Sequence, residues 1–156
     1  MSWYEVLKFI HIVSSTILFG TGLGTAFYFW SASLTGDARV IAAVGRRVIL
    51  ADWIFTGGSG VVQPVTGALL ATHLGIPLNE PWIVATAALY LLAFLCWAPV
   101  VWIQIRTTEL ARRTALAEEP LPPEFHRLMR LWFALGWPAF IALLAIFGLM
   151  IVKPAI

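Results

Sequence analysis

Four long stretches of this chain carry almost no formal charge, and their spacing constrains the fold more than any other feature. No Asp, Glu, Lys or Arg occurs from Phe9 to Gly36, from Pro81 to Ile105 or from Leu131 to Val152, and Val48 to Asn79 is broken only by Asp52. A helix crossing the hydrocarbon core needs about 20 mainly apolar residues, and each stretch supplies them. One such run could be the core helix of a soluble domain. Four in a chain of 156 residues leave too little polar sequence to wrap them, since only 12% of the chain is charged against about 25% in soluble domains. The expected fold is therefore all-α: a polytopic membrane protein forming a single four-transmembrane-helix bundle over residues 1–156, with spans at about 5–30, 48–73, 82–106 and 127–152.

The first stretch is too long for the apolar region of a signal peptide and has no small-residue cleavage pattern, so it reads as a retained span. The single cysteine, Cys96, falls in the middle of the third span and can form no intramolecular disulfide. Cations are distributed unevenly. Arg39, Arg46, Arg47, Arg106, Arg112, Arg113, Arg127 and Arg130 lie in or beside the connections between spans one and two and between spans three and four, whereas only Lys8 and Lys153 lie at the other side. Short loops rich in Lys and Arg stay cytoplasmic, so both termini are expected outside (N-out/C-out), in a bacterial inner membrane. Trp3, Tyr4, Trp30, Trp82 and Trp102 sit near span ends, where amphipathic rings favour the headgroup layer.

The connections are expected to be short. Ser33 to Gly45 reads as a small polar link, and Gly75 to Pro81 as a turn-rich loop. Thr108 to Ala117 reads as a helical extension of span three, stopped by Pro120, Pro122 and Pro123.

Backbone groups in lipid must pair internally, so the spans are helices, and 100° per residue sorts their faces. In span two, Asp52, Thr56, Ser59, Gln63, Thr66 and Leu70 share one face, with His73 at its edge. Span one groups His11, Ser15, Leu18, Gly22, Thr25 and Phe29, and span three groups Thr86, Tyr90, Ala93, Trp97 and Gln104. Span four groups His126, Arg130, Ala134, Trp137, Ile141, Ala145 and Gly148. Most of these small and hydroxylated residues suit close helix packing, but packing does not require an ionisable group. Asp52 needs a partner, because a carboxylate at membrane depth costs roughly 2.5–3.5 kcal/mol on insertion scales. Arg130, facing inward from span four, is the first candidate, and Arg47 the local alternative. Asp52, Gln63 and Arg130 are thus the expected polar interior, with Gln63 placed to satisfy the carbonyl that Pro64 would free. His11, two turns into span one, and His73, at the end of span two, share one half of the membrane. Two imidazoles on neighbouring helices can ligate a haem from both faces. His11 is the candidate metal ligand, with His73 as the second cofactor-binding residue.

Ala51-Asp-Trp-Ile-Phe-Thr56, Gln63-Pro-Val-Thr-Gly67, Pro99-Val-Val-Trp-Ile-Gln-Ile-Arg106, Arg130-Leu-Trp-Phe-Ala-Leu-Gly-Trp-Pro-Ala-Phe140 and Lys153-Pro154 together resemble a family of small bacterial integral membrane proteins classed as a domain of unknown function. The resemblance runs over essentially the whole chain and implies the architecture but no activity. A weaker similarity, carried by Lys8-Phe-Ile-His11 and the Gly-rich stretch after it, is to the HemJ-type protoporphyrinogen oxidases and the CopD-like membrane proteins. It implies haem b binding through His11. The lysine that HemJ-type proteins have soon after the tryptophan opening span three is missing here, where Trp82 is followed by Ile83, Val84 and Ala85.

Three functions fit these observations. The first is a haem-b protein of the inner membrane, acting in electron transfer or as an oxidoreductase on a membrane-soluble substrate, with His11 as axial ligand. The second is a non-catalytic accessory subunit packed in a homo-oligomer or a larger membrane complex. The third is a small channel or transporter using the stripe from Asp52 to Thr66 as a polar path. The chain has no phosphate-binding glycine loop, no His-Glu-x-x-His and no cysteine ligand set, and its basic residues suggest the bilayer, not nucleic acid, as partner.

Overall fold

The computed structural model describes residues 2–153. Five α-helices account for almost all of it: α1 (Trp3–Leu34), α2 (Ala38–Ala51), α3 (Gly58–His73), α4 (Pro81–Ala117) and α5 (Pro123–Val152). Between α2 and α3 the chain makes a π turn, Asp52–Gly57. Its backbone stays helical at both joins, with φ and ψ near −64° and −39° at Asp52 and −60° and −52° at Gly58. Residues 38–73 therefore form one continuous rod, widened by a turn of π-helix at its middle. Of the four rods, α1, α4 and α5 are each long and apolar enough as single helices to cross a membrane. The second rod is divided by the π turn into pieces shorter than a span.

Local chemistry sets the ends. Ser2 and Glu5 form a capping box on α1, with Glu5 Oε2 accepting from Ser2 N at 2.7 Å and Ser2 Oγ accepting from Glu5 N at 3.3 Å. Two orphan donors of the first turn are thereby satisfied. Asp37 caps α2, its Oδ1 accepting from Arg39 N at 2.8 Å and Val40 N at 3.4 Å. Helix resumes at Ala38, so the expected polar link from Ser33 to Gly45 shrinks to the turn around Gly36, whose φ is +67°. The reason is the cap: an aspartate can start a helix where charge density alone suggests a loop. At the other connection, α4 continues to Ala117 as expected. Arg106 then ties back to Glu124 at the start of α5, with nitrogen–oxygen distances of 2.9 and 3.0 Å.

The rods pair as α4 against α5, α2 against α4, and α1 against α2, α3 and the π turn. The tightest approach is between α2 and α4: a Cβ on Gly45 would lie 2.1 Å from Thr108 Oγ1 and 3.1 Å from the Phe29 ring. A continuous core of Phe29, Ile41, Val48, Ile103, Ala111, Phe125 and Trp132 fills the end of the bundle that carries the arginines. Toward the termini the inner contacts are thinner; Phe19 stacks on Phe140 at a centroid distance of 5.2 Å and meets Phe147 edge-on at 5.4 Å.

Proline leaves a visible mark. Pro64 has no N–H to offer the carbonyl one turn back, and the Gly60 carbonyl instead accepts a 2.5 Å hydrogen bond from Tyr90 Oη on α4. Tyr90, not Gln63, satisfies the freed group. The face expected to point inward on α5 is turned the other way: His126, Arg130, Ala134, Trp137, Ile141, Ala145 and Gly148 are all exposed, and Phe125, Trp132 and Ala142 are buried. The polar and small residues of this helix lie on its outer side, because bulky apolar residues fill the core against α1 and α4. Phe29 meets Trp132 edge-on at 5.6 Å.

Candidate functional site

The polar stripe of the second rod packs against α1. Asp52, Thr56, Ser59 and Thr66 are all buried, as is Ser14 on the facing side of α1. From Asp52 to Thr66 this seam covers about 21 Å at 1.5 Å per residue. An ionisable group stands near each end: Asp52 toward the arginine-bearing end and His11 toward the termini.

Asp52 is 4% exposed. Its Oδ1 accepts from Thr25 Oγ1 at 2.9 Å and from Thr56 Oγ1 at 3.1 Å, and the Gln104 side chain approaches the carboxylate from α4. Among the described residues no cation lies within 4.0 Å of it; the arginine–carboxylate pairs are Arg39–Glu118, Arg106–Glu124, Arg112–Glu109 and Arg113–Glu109. The expected Asp52–Arg130 pair is absent, because Arg130 sits on the exposed face of α5, where its long stem can carry the charge toward the headgroups. Arg47, the local alternative, is exposed as well. Neutral donors hold the carboxylate instead.

The neighbourhood also holds polar atoms without partners. Gln104 Oε1 and Thr108 Oγ1, one turn apart on α4, and Trp132 Nε1 on α5 are buried and unbonded. Thr25 has one hydroxyl hydrogen and three acceptors in reach, the Thr21 carbonyl at 2.9 Å, the Gly22 carbonyl at 3.4 Å and Asp52 Oδ1. Buried polar atoms are normally satisfied; of the three unbonded atoms, Gln104 Oε1 is an acceptor, Trp132 Nε1 a donor and Thr108 Oγ1 can be either.

His11 is held on the same seam. Its Nδ1 lies 2.8 Å from Thr66 Oγ1, and its ring edge approaches α3 at Gly67, where a Cβ would lie 3.3 Å from Cε1. Gln63, half-buried, completes the group. With its amide turned to suit its neighbours, its nitrogen stands 2.8 Å from His11 Nδ1 and 3.2 Å from both Ser14 Oγ and the His11 carbonyl. Two arrangements satisfy the ring. In one, Gln63 donates to Nδ1 and the ring proton sits on Nε2. In the other, Nδ1 donates to Thr66, whose own hydrogen is taken by the Val62 carbonyl at 2.7 Å, and Nε2 keeps its lone pair.

His73 is not brought to His11. It is exposed at the end of α3 and stacks on Tyr4 at 6.0 Å, seven residues before His11 on α1, an axial offset of about 10 Å. Among the described residues no group of three or more His, Cys, Asp or Glu converges as metal ligands. The sequence marks Asp52, Gln63 and His11 as inward polar residues, and Thr25 only as a member of a packing face. The helical repeat puts Gln104 on an inward stripe without assigning it a task, and its position beside Asp52 follows from the crossing of α4, which no local spacing encodes.

Residues 5–154 match a family described as predicted integral membrane proteins, DUF2269. The chain belongs to this family. The match covers nearly all of the protein and bears out the small-membrane-protein resemblance, and with the apolar helices it makes this DUF2269 chain a multi-pass integral membrane protein. No curated protein and no solved structure matches it.

Proposed function

We propose that this DUF2269 protein is a four-span, N-out/C-out protein of the bacterial inner membrane that conducts protons or a small cation along the seam between α1 and the second rod. One observation carries the reading: a buried polar line of about 21 Å, most of a hydrocarbon core thickness, with Asp52 near one end and His11 near the other. Intramembrane carboxylates and histidines facing a bundle interior characteristically mark ion and proton paths. The hydroxyls and the Gln63 amide between them can reorient without breaking the packing. The π turn that holds Asp52 adds to the case, since such turns cluster at functional sites.

The test is flux. Purified protein in liposomes with an internal pH-sensitive dye should take up protons under a potassium diffusion potential several-fold faster than empty liposomes. Asp52→Asn should abolish the difference, and His11→Ala should reduce it. Wild-type uptake no faster than the empty-liposome rate would refute the reading.

One observation favours a second reading, haem b on His11. In the arrangement where Nδ1 donates to Thr66, the ring is oriented as ligating histidines are, with its other nitrogen free for iron. An absorption spectrum of protein from haem-replete cells decides it. A Soret band lost in His11→Ala supports ligation, and a colourless, folded wild type removes it.

A further inference from the structure

The arginine-bearing end holds a second feature, away from the Asp52 seam. A groove of about 490 Å³ opens between α2 and α4, lined by Arg39 and Arg46 from α2 and by Arg112 and Glu118 from α4, over a floor that includes Ala42 and Ala115. The three arginines are exposed, and three guanidinium groups against one carboxylate give the lining a net charge of +2. Glu118 pairs with Arg39 at 3.4 Å, both side chains being largely exposed, and such pairs are weak. Glu109, which also holds Arg113, takes Nε and one terminal nitrogen of Arg112 at 2.8 Å each, leaving the other terminal nitrogen unused. Arg46 is the one lining cation with no carboxylate within 4.0 Å among the described residues.

We propose that this groove binds the headgroup of an anionic phospholipid, with the phosphate on Arg46 and Arg112. A helical side chain leans toward the start of its own helix. α2 and α4 run antiparallel, with Gly45 against Thr108 and Arg39 against Glu118, so Arg46 leans away from the membrane and Arg112 toward it. The same register sets Arg112 between Arg39 and Arg46 along the groove, and the guanidinium groups of Arg46 and Arg112 lean toward each other. Arg46 stands just before the apolar run that begins at Val48, and Arg112 stands six residues beyond Arg106, the first charge after the apolar run of α4, or about 9 Å along the axis. Leaning back, its guanidinium falls in the headgroup layer, which extends roughly 5–7 Å beyond each face of the hydrocarbon core. A phosphodiester there accepts charge-assisted hydrogen bonds from both arginines and gives Arg46 the partner it lacks within the protein. The positive lining selects an anionic lipid over a zwitterionic one. At the far end, Arg39 and Glu118 offer donors and acceptors that suit a hydroxylated headgroup such as glycerol. A soluble phosphate has the same chemistry, but the phosphate end of the groove faces the bilayer, which presents lipid phosphates at high local concentration. Basic pockets between spanning helices are a recurrent form of lipid recognition.

The site needs neither the conduction nor the haem reading, and it holds whichever leaflet the arginine-bearing end meets. The test is native mass spectrometry of the detergent-purified full chain at low ionic strength, with added phosphatidylglycerol, phosphatidylcholine, phosphatidylethanolamine or inorganic phosphate. One phosphatidylglycerol should stay bound per chain at concentrations where the two zwitterionic lipids do not. Arg46→Gln and Arg112→Gln should each weaken it roughly fivefold. Arg127→Gln, which removes an exposed charge of α5 outside the groove, should leave it unchanged. Glu118→Gln releases Arg39 and should tighten binding, a gain that a folding defect cannot imitate. Weakening by Arg127→Gln as large as by Arg46→Gln would show diffuse attraction to the basic end and overturn the groove. Phosphatidylethanolamine retained as well as phosphatidylglycerol would overturn the selection of an anionic lipid. Inorganic phosphate displacing phosphatidylglycerol at equal concentration would overturn the lipid in favour of a soluble phosphate, and a wild type that retains no lipid would overturn the site outright.

Discussion

At the scale of single residues, close packing and hydrogen-bond accounting make the sharpest predictions. Gly45 is required because α2 and α4 touch through it. Gly45→Ala pushes a methyl group into Thr108 and the Phe29 ring, and overpacking of this kind typically costs about 1–3 kcal/mol. Thr108→Ala removes a hydroxyl that has no partner and should restore most of the loss in the double variant, as read from Tm in detergent. Asp52 yields a prediction of the opposite kind. With Arg130 on the outer face, the stability changes of Asp52→Asn and Arg130→Ala should add within about 0.5 kcal/mol in a double-mutant cycle. A coupling of several kcal/mol would restore the ion pair that the geometry lacks.

At the scale of elements, the second rod is the unusual one. It contains a π turn and a proline, and each is answered by another helix: Thr25 and Gln104 reach the π turn, and Tyr90 reaches the carbonyl that Pro64 leaves open. Tyr90→Phe should therefore destabilise the protein by about 1–3 kcal/mol through an unpaired buried carbonyl. In a Pro64→Ala background the restored N–H can serve Gly60, so the same Tyr90→Phe change should cost much less. Equal costs in both backgrounds would show that Tyr90 acts by packing alone. The capped ends behave differently, since Asp37 and the Ser2–Glu5 box act within a few residues of sequence and need no partner helix.

At the scale of the whole molecule, the division between a filled arginine-bearing end and a thinner end at the termini ties topology to function. If the basic end is cytoplasmic, a reporter fused after Ala117 should read cytoplasmic and one fused after Ile156 periplasmic. The reverse result would put the arginine-bearing end, and Asp52 near it, on the outer side of the membrane. Stability is expected to concentrate where the core residues do. Hydrogen exchange should be slowest around Ile103 to Ala111 and Phe125 to Trp132 and faster in α5 beyond Trp137, at equal detergent coverage.

The membrane class, the polar face of the second rod and the inward faces of α1 and α4 are legible in the sequence alone. Each follows from a count along one chain segment: the absence of charge over a span's length, or a 100° repeat of polar side chains. Tertiary structure decided what those faces meet. Polarity picks the wrong face of α5, because in lipid an arginine is accommodated by reaching the headgroups and a buried tryptophan by meeting Phe29. The partners of Asp52 were hidden for a related reason. A carboxylate at membrane depth signals that it needs compensation, but hydroxyls and an amide can supply it as well as a cation can. Which of them does so depends on how three helices cross, a property of packing that no single helix carries.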